Sequence, residues 1–227
     1  MFNKFFKDKI PGYNINNTLF VARPGLPFIL GFFLAFLISW LADWNCLEVI
    51  FLILFVFTVY FFRDPQRDPP PPGYGVSPAD GEIIRIEEGA ISPLTQAKAT
   101  KVSIFMSVFN VHVNRAPIDA KIDDQKYYTG RFFNASFDKA SELNERNILV
   151  LVDDKNRQVV MVQIAGLIAR RIVSWVKPGQ WLARSQRFGM IRFGSRVDLY
   201  LPPEAEIMVS LGQGVLAGWS PIWRYKD

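Results

Sequence analysis

Three residues in this chain have the types that together make or break an acyl bond: Ser195, His112 and Asp80. A serine hydroxyl is a nucleophile once a base takes its proton, imidazole is the base that works near neutral pH, and a carboxylate orients the imidazole. They lie in Ser77-Pro78-Ala79-Asp80-Gly81, in Phe109-Asn110-Val111-His112-Val113-Asn114-Arg115-Ala116-Pro117, and in Ile191-Arg192-Phe193-Gly194-Ser195-Arg196-Val197. His112 is the only histidine and Cys46 the only cysteine. Each residue also has a plain structural reading. Asp80-Gly81 is a turn before a strand, His112 a satisfied polar residue, and Gly194 a bulge or close backbone approach within a strand. Spacing alone does not bring the three together.

Gly194 before Ser195 opens a second chemistry. The hydroxyl can attack the carbonyl of its own preceding residue and turn the amide into an ester, and glycine there removes the Cβ that would crowd the attack. If the ester then eliminates, Ser195 becomes dehydroalanine and finally a pyruvoyl group. Other chemistries are short of parts. One His and one Cys are too few for a His/Cys zinc site, so no metal is expected, and a single Cys closes no intramolecular disulfide. Neither a G-x-x-x-x-G-K-[ST] loop nor a G-x-G-x-x-G turn is present.

The elements that must carry these residues divide sharply by hydropathy. The net charge of +5 suits an acidic partner, nucleic acid or anionic lipid. An apolar stretch from Leu26 to Phe62, broken at Asp43-Trp44-Asn45, decides for lipid and against nucleic acid. Its two runs each fall slightly short of the roughly 20 residues that cross a bilayer comfortably. A helical hairpin over about 26–62, within an anchoring region 1–62, is expected to span the membrane or dip into it. Lys4, Lys7, Lys9 and Arg23 precede it, and Arg63 and Arg67 follow. By the positive-inside rule both ends face the cytoplasm, at the cell (inner) membrane.

Residues 63–75, with Pro69-Pro70-Pro71-Pro72-Gly73, read as a stiff extended linker. Beyond it the hydrophobic period shortens towards two in 82–86, 101–106, 147–152 and 158–164, which predicts strands. Asp153-Asp154-Lys155-Asn156 predicts a hairpin loop, and 139–146 a helix. The expected fold class is α+β, mostly β: an N-terminal hydrophobic helical hairpin followed by a single β-rich domain over 76–227. On the residues alone three functions stay open. They are a self-cleaving enzyme, an anchored serine hydrolase using intact Ser195, and an anchored non-enzymatic β adaptor.

Several ordered motifs together resemble the phosphatidylserine decarboxylase family in its short, membrane-anchored prokaryotic form. They are Ser77-Pro78-Ala79-Asp80-Gly81, Asn110 to Pro117, Asn144-Glu145-Arg146-Asn147, Arg192-Phe193-Gly194-Ser195-Arg196 and the Gly212-Gln213-Gly214 and Gly218 region. The resemblance covers roughly 65–223. It implies a proenzyme cut between Gly194 and Ser195 into large and small chains, with Asp80 and His112 at the self-processing positions. It also implies a covalent pyruvoyl cofactor made from Ser195, without metal or pyridoxal phosphate. That group would form a Schiff base with phosphatidylserine, releasing carbon dioxide and phosphatidylethanolamine. Arg115 stands where many longer members carry a second histidine. The substrate's phosphate and carboxylate call for cations, and Arg115, Arg170 and Arg171 are the candidates. The partners so implied are an anionic phospholipid and the membrane, with room for a homo-oligomer.

Overall fold

The computed structural model describes residues 20–130, 144–166, 171–192 and 195–225. The chain divides into two compact units, Asn16–Gln66 and one that includes Arg67–Asp227.

The first unit is the expected helical hairpin. Leucine, phenylalanine and isoleucine fill α1 (Leu26–Leu41) and α2 (Asn45–Phe61), with Pro27 confined to the first turn, where its missing N–H costs no bond. Asp43 turns the chain at φ 54°, and the Trp44 N–H closes the turn on the Ser39 carbonyl at 2.9 Å. Phe33 of α1 meets Phe55 of α2 with ring centroids 5.5 Å apart. With its leading turn the first helix, Arg23–Leu41, is long and apolar enough to cross a membrane; Asn45–Phe61 is shorter. The hydroxyls of Ser39 and Thr58 donate to carbonyls of their own helices, at 2.9 Å to Ala35 and 2.6 Å to Leu54. This is how hydroxyls are satisfied in apolar surroundings.

The second unit is β-rich. Its first strands are β1 (Tyr74–Val76), β2 (Gly81–Ile91), β3 (Lys98–Met106), β4 (Val113–Arg115) and β5 (Ala120–Tyr128). Next come β6 (Arg146–Val152), β7 (Gln158–Ala165), β8 (Ile172–Ser174), β9 (Trp181–Leu182) and β10 (Arg187–Ile191). The chain closes with β11 (Ser195–Leu201), β12 (Ala205–Ile207), β13 (Gly214–Val215) and β14 (Pro221–Tyr225). Eight of them form one antiparallel sheet in the order β13-β2-β3-β11-β7-β6-β5-β9. Two three-stranded sheets, β1-β14-β12 and β4-β10-β8, contribute to the same apolar core.

Alternation builds that core. Val197, Leu199 and Leu201 of β11 face inward with Leu149 and Leu151 of β6, Val159 and Met161 of β7, and Phe188, Ile191 and Trp223 of the small sheets. The opposite face of the large sheet is buried too, through Ile148, Val150, Val160, Val162 and Ile164. This explains why 148–151 reads as an unbroken apolar run.

The four predicted strands are β2, β3, β6 and β7, and the predicted hairpin loop joins the last two, with Asn156 at φ 60°. The predicted helix over 139–146 falls mostly outside the described residues; where the description resumes, Arg146 opens a strand. The proline-rich stretch is held against the β-rich unit from Arg67 onward. Arg184 donates to the carbonyls of Pro71 and Tyr74 at 3.0 Å and of Pro70 at 2.6 Å.

Candidate active site

Antiparallel pairing gathers the candidate residues at one end of the large sheet. Ser195 opens β11 and pairs with Met106, the last residue of β3, and with Ala165, the last residue of β7. Gly81 opens β2 opposite Val215, which ends β13. The described segments that begin or end here are therefore Ser77–Asp80, Ser107–His112, the start of β11 at Ser195, and Leu216–Ser220.

Ser195 is fully buried, and its hydroxyl donates to the Met106 sulfur at 3.2 Å. β10 and β11 flank the Gly194–Ser195 step as the strand-like sequence predicts, but they belong to different sheets. Gly194 itself lies outside the described residues.

His112 is also fully buried, immediately before β4. Its Nδ1 lies 2.9 Å from the Asn110 carbonyl. A carbonyl only accepts, so Nδ1 carries the proton of the neutral ring and the basic lone pair is on Nε2. Asn110 is fixed in turn, its side-chain oxygen accepting from both the N–H and the hydroxyl of Ser107 at 2.8 Å. The main chain of His112 meets the end of β10, where its carbonyl accepts from the Ile191 N–H at 3.3 Å.

Asp80 is 3% exposed, and its carboxylate forms a two-point ion pair with Arg67 while accepting the Ala217 N–H at 2.8 Å. The imidazole Nδ1 is thus oriented by a backbone carbonyl, and the carboxylate by a guanidinium. Asp80 and His112 are linked through the main chain: the Arg115 N–H donates to the Pro78 carbonyl at 2.9 Å. The Leu216–Ser220 turn clasps the same loop, as the Gly218 N–H donates to the Ser77 carbonyl at 2.7 Å. Gly218 has φ 72°, and a Cβ there would stand 2.7 Å from the Arg115 Cδ. Backbone strain and crowding both reserve the position for glycine.

The three candidate cations separate. Arg115 is 3% exposed and donates to the Ser185 carbonyl at 3.5 Å. Arg171 is exposed, and its carbonyl accepts the Arg192 N–H at 3.2 Å. Burial, and then the neighbouring charge of Arg171, lower the pKa of Arg192. Arg170 lies outside the described residues. Among the described residues no three of His, Cys, Asp and Glu gather as a metal site.

Several residues at this end received no site role from the sequence, although Glu145 and Asn147 stand in one of its motifs. Arg67 sits in what reads as spacer, with nothing nearby in sequence to announce Asp80. Glu145 accepts the Tyr127 hydroxyl and the Ile172 N–H, the latter at 3.0 Å. Asn147 and Gln163 occupy inward positions of β6 and β7, in rows otherwise filled by Leu149, Leu151, Val159 and Met161. A polar residue at an inward position is a legible signal, because it must find a partner. Large apolar side chains also stand exposed on these loops: Phe109 at 64%, Leu216 at 45% and Trp219 at 51%.

Residues 54–222 match the family model described as phosphatidylserine decarboxylase. The chain is 51% identical over 208 residues to a phosphatidylserine decarboxylase proenzyme of Oleidesulfovibrio alaskensis, covering 91% of this chain and 95% of that one. The proenzyme of Solidesulfovibrio magneticus is 49% identical over 208 residues (91% and 97%), and that of Syntrophus aciditrophicus 46% over 205 (89% and 96%).

Proposed function

This chain belongs to the phosphatidylserine decarboxylase family, and from that premise we propose that it cuts itself at Gly194–Ser195 and decarboxylates phosphatidylserine with the group left on Ser195. The serine hydroxyl attacks the Gly194 carbonyl carbon, and His112 Nε2 takes its proton. The C–N bond breaks as the Ser195 nitrogen is protonated, leaving an ester on Oγ. Loss of the Ser195 α-proton then expels the Gly194 carboxylate and leaves dehydroalanine. Addition of water with loss of ammonia yields the pyruvoyl end.

The observation that carries this reading is Ser195 itself. It is fully buried and its Oγ lies 3.2 Å from a thioether. Burial keeps bulk water from the ester, so elimination competes with its hydrolysis, and the later hydration needs only a single water. It also fits a pyruvoyl group, which is no bulkier than the serine it replaces. That group supplies a carbonyl as an electron sink for the pair released with carbon dioxide. The chain's own residues do the rest. His112 Nε2 holds a proton for delivery to the substrate's α-carbon, with Asn110 fixing the ring. Asp80, paired with Arg67 and accepting the Ala217 N–H, steadies the segment carrying the processing machinery. Arg171, with Arg170, receives the headgroup's anionic oxygens, supported by the exposure of Arg171 beside the Arg192 that leads to the cut. Arg115 is buried at this end, and its guanidinium shapes the floor on which the headgroup rests.

The apolar hairpin anchors the protein in the inner membrane with the catalytic unit in the cytoplasm. Its hydropathy and its basic flanks support this. Exposed Phe109, Leu216 and Trp219, at the sheet end that carries Ser195, suit a site that takes its substrate from a bilayer.

Intact mass under denaturing conditions tests the reading. Two chains are expected, the smaller being the 33 residues from Ser195 to Asp227 with a carbonyl-blocked first residue. Ser195→Ala should give one uncut, inactive chain. A full-length mass in an active preparation would overturn the proposal. Arg171→Gln should raise KM about tenfold with little change in kcat, the pattern of lost ground-state binding; an unchanged KM removes Arg171 from the site.

A further inference from the structure

Four side-chain amides, each from a different strand and three of them fully buried, form a continuous line that ends beside Ser195. Gln125 Nε2 donates to Asn147 Oδ1 at 3.1 Å, and Asn147 Nδ2 donates to Gln163 Oε1 at 2.8 Å. Gln163 Nε2 then donates to Asn114 Oδ1 at 2.8 Å. Asn114 Nδ2 faces the Pro78 carbonyl at 3.4 Å and the Met106 sulfur at 3.8 Å. Asn114, Asn147 and Gln163 are fully buried. The line crosses from β5 through β6 and β7 of the large sheet to β4 of a small one. Gly189 of β10 leaves room for it, since a Cβ there would stand 3.3 Å from Gln163 Nε2.

Every donor in the line points the same way, and both ends require it. The Pro78 carbonyl can only accept, so Asn114 must offer it Nδ2. At the other end the Ser174 hydroxyl donates to the Val176 carbonyl at 3.3 Å and accepts from Gln125 Nε2 at 3.0 Å. Each amide therefore has one permitted orientation, and bonds aligned head to tail polarise one another. Four satisfied amides are a costly way to fill a core that apolar residues would fill as well. What they fix is a position.

We propose that this line makes Asn114 a positioning residue for self-cleavage, an inference that rests on the cleavage reading above. Asn114 Nδ2 stands between the Pro78 carbonyl, two residues before Asp80, and the Met106 sulfur, the hydrogen-bond acceptor of Ser195 Oγ. It also sits two residues after His112 on the same segment. Asn114 thereby sets the distance between the serine hydroxyl and the groups that act on it. The line of amides holds the Asn114 side chain in the one orientation that does so.

The test uses the full-length chain, freshly made as precursor and solubilised in detergent. Cleavage is followed by intact mass, and the ester is trapped by hydroxylamine, which cuts the chain where the acyl shift has occurred. Asn114→Asp keeps the size of the side chain and the acceptor for Gln163 but turns an oxygen toward Pro78. Gln163→Glu turns an oxygen toward Asn114 Oδ1 and draws its amine away from Pro78. Both should slow cleavage per folded molecule by about 100-fold, the penalty of a reacting group misplaced by roughly an ångström. Hydroxylamine sensitivity should fall in step, and the pH midpoint of the rate should stay where it is. Asn114→Ala and Gln163→Ala combined should slow cleavage no more than Asn114→Ala alone. Wild-type cleavage rates in folded Asn114→Asp and Gln163→Glu, or additive losses in the double variant, would overturn the inference. An uncut but active wild-type chain would instead sink the cleavage reading on which it rests.

Discussion

Arg196, the second residue after the proposed cut, is 1% exposed, and so is a charge kept in the interior. Its guanidinium meets Asp198 in a two-point ion pair at 2.7 and 2.8 Å, and Lys101 approaches the same carboxylate at 3.7 Å. Removing the anion takes a buried carboxylate partner from both cations. Asp198→Asn should cost about 3–5 kcal/mol of stability, read as a lowered unfolding midpoint of the uncut Ser195→Ala chain. Tyr127 titrates in the opposite sense from an ordinary acid-labile carboxylate. Partial burial, and then Glu145, raise its pKa. Its contribution to stability is complete below the unfolded tyrosine value of about 10 and is lost as pH rises beyond it. A thermal midpoint that falls between pH 10 and 11 should fall less steeply in Tyr127→Phe. Tyr225, also raised by burial, keeps part of the slope. The sequence shows Ser195, His112 and Asp80 because their types are rare or sit at turn signals. It hides Arg67 and Glu145, whose partners are brought to them only by the folded sheet.

Strands that are both long and apolar enough to show a period are readable; β5, nine residues of mostly charged and polar type, and the short strands are not. β2, β3, β6 and β7 run for seven residues or more, whereas β9 and β13 have two residues each, and no period exists in two. That β10 and β11 join different sheets is hidden for a related reason, since strand-like residues do not say which sheet they join. At the neighbouring element boundary, a Cβ on Gly81 would overlap the Phe105 carbonyl oxygen across the β2–β3 pair. Gly81→Ala should therefore push the start of β2, and Asp80 with it, away from the site. Cleavage should slow by about 100-fold, measured as the fraction of chain cut over time. A normal rate would show that the loop carrying Asp80 absorbs the shift.

At the scale of the whole molecule, hydropathy alone separates the helical hairpin from the β-rich unit, because a period of two and an unbroken apolar run are different signals. The exposed rim of Phe109, Leu216 and Trp219 is not legible that way, since apolar residues in loops look the same in sequence whether covered or bare. Burying one such side chain in a bilayer contributes about 1.5–3 kcal/mol. Leu216→Ser with Trp219→Ser should reduce turnover of vesicle-embedded phosphatidylserine by about tenfold or more. Turnover of a water-soluble short-chain analogue should be unchanged, and equal losses on both substrates would assign the two residues to the catalytic pocket instead.

The position of β11 has a consequence for the protein's history. It lies inside the large sheet between β3 and β7, while β13 and β14, further along the same 33 residues, pair with β2 and β1. The small chain that the proposed cut would leave is woven through the large one, and among the described residues β10 and β11, which flank that bond, do not pair with each other. A loose fragment of that length has no core of its own with which to find its place again. The mature enzyme can therefore be assembled only once, while it is still a single chain. Cooled after complete denaturation, the Ser195→Ala precursor should regain its fold and the processed protein should not. Its working lifetime is then governed by how slowly it opens, an escape rate with no return path.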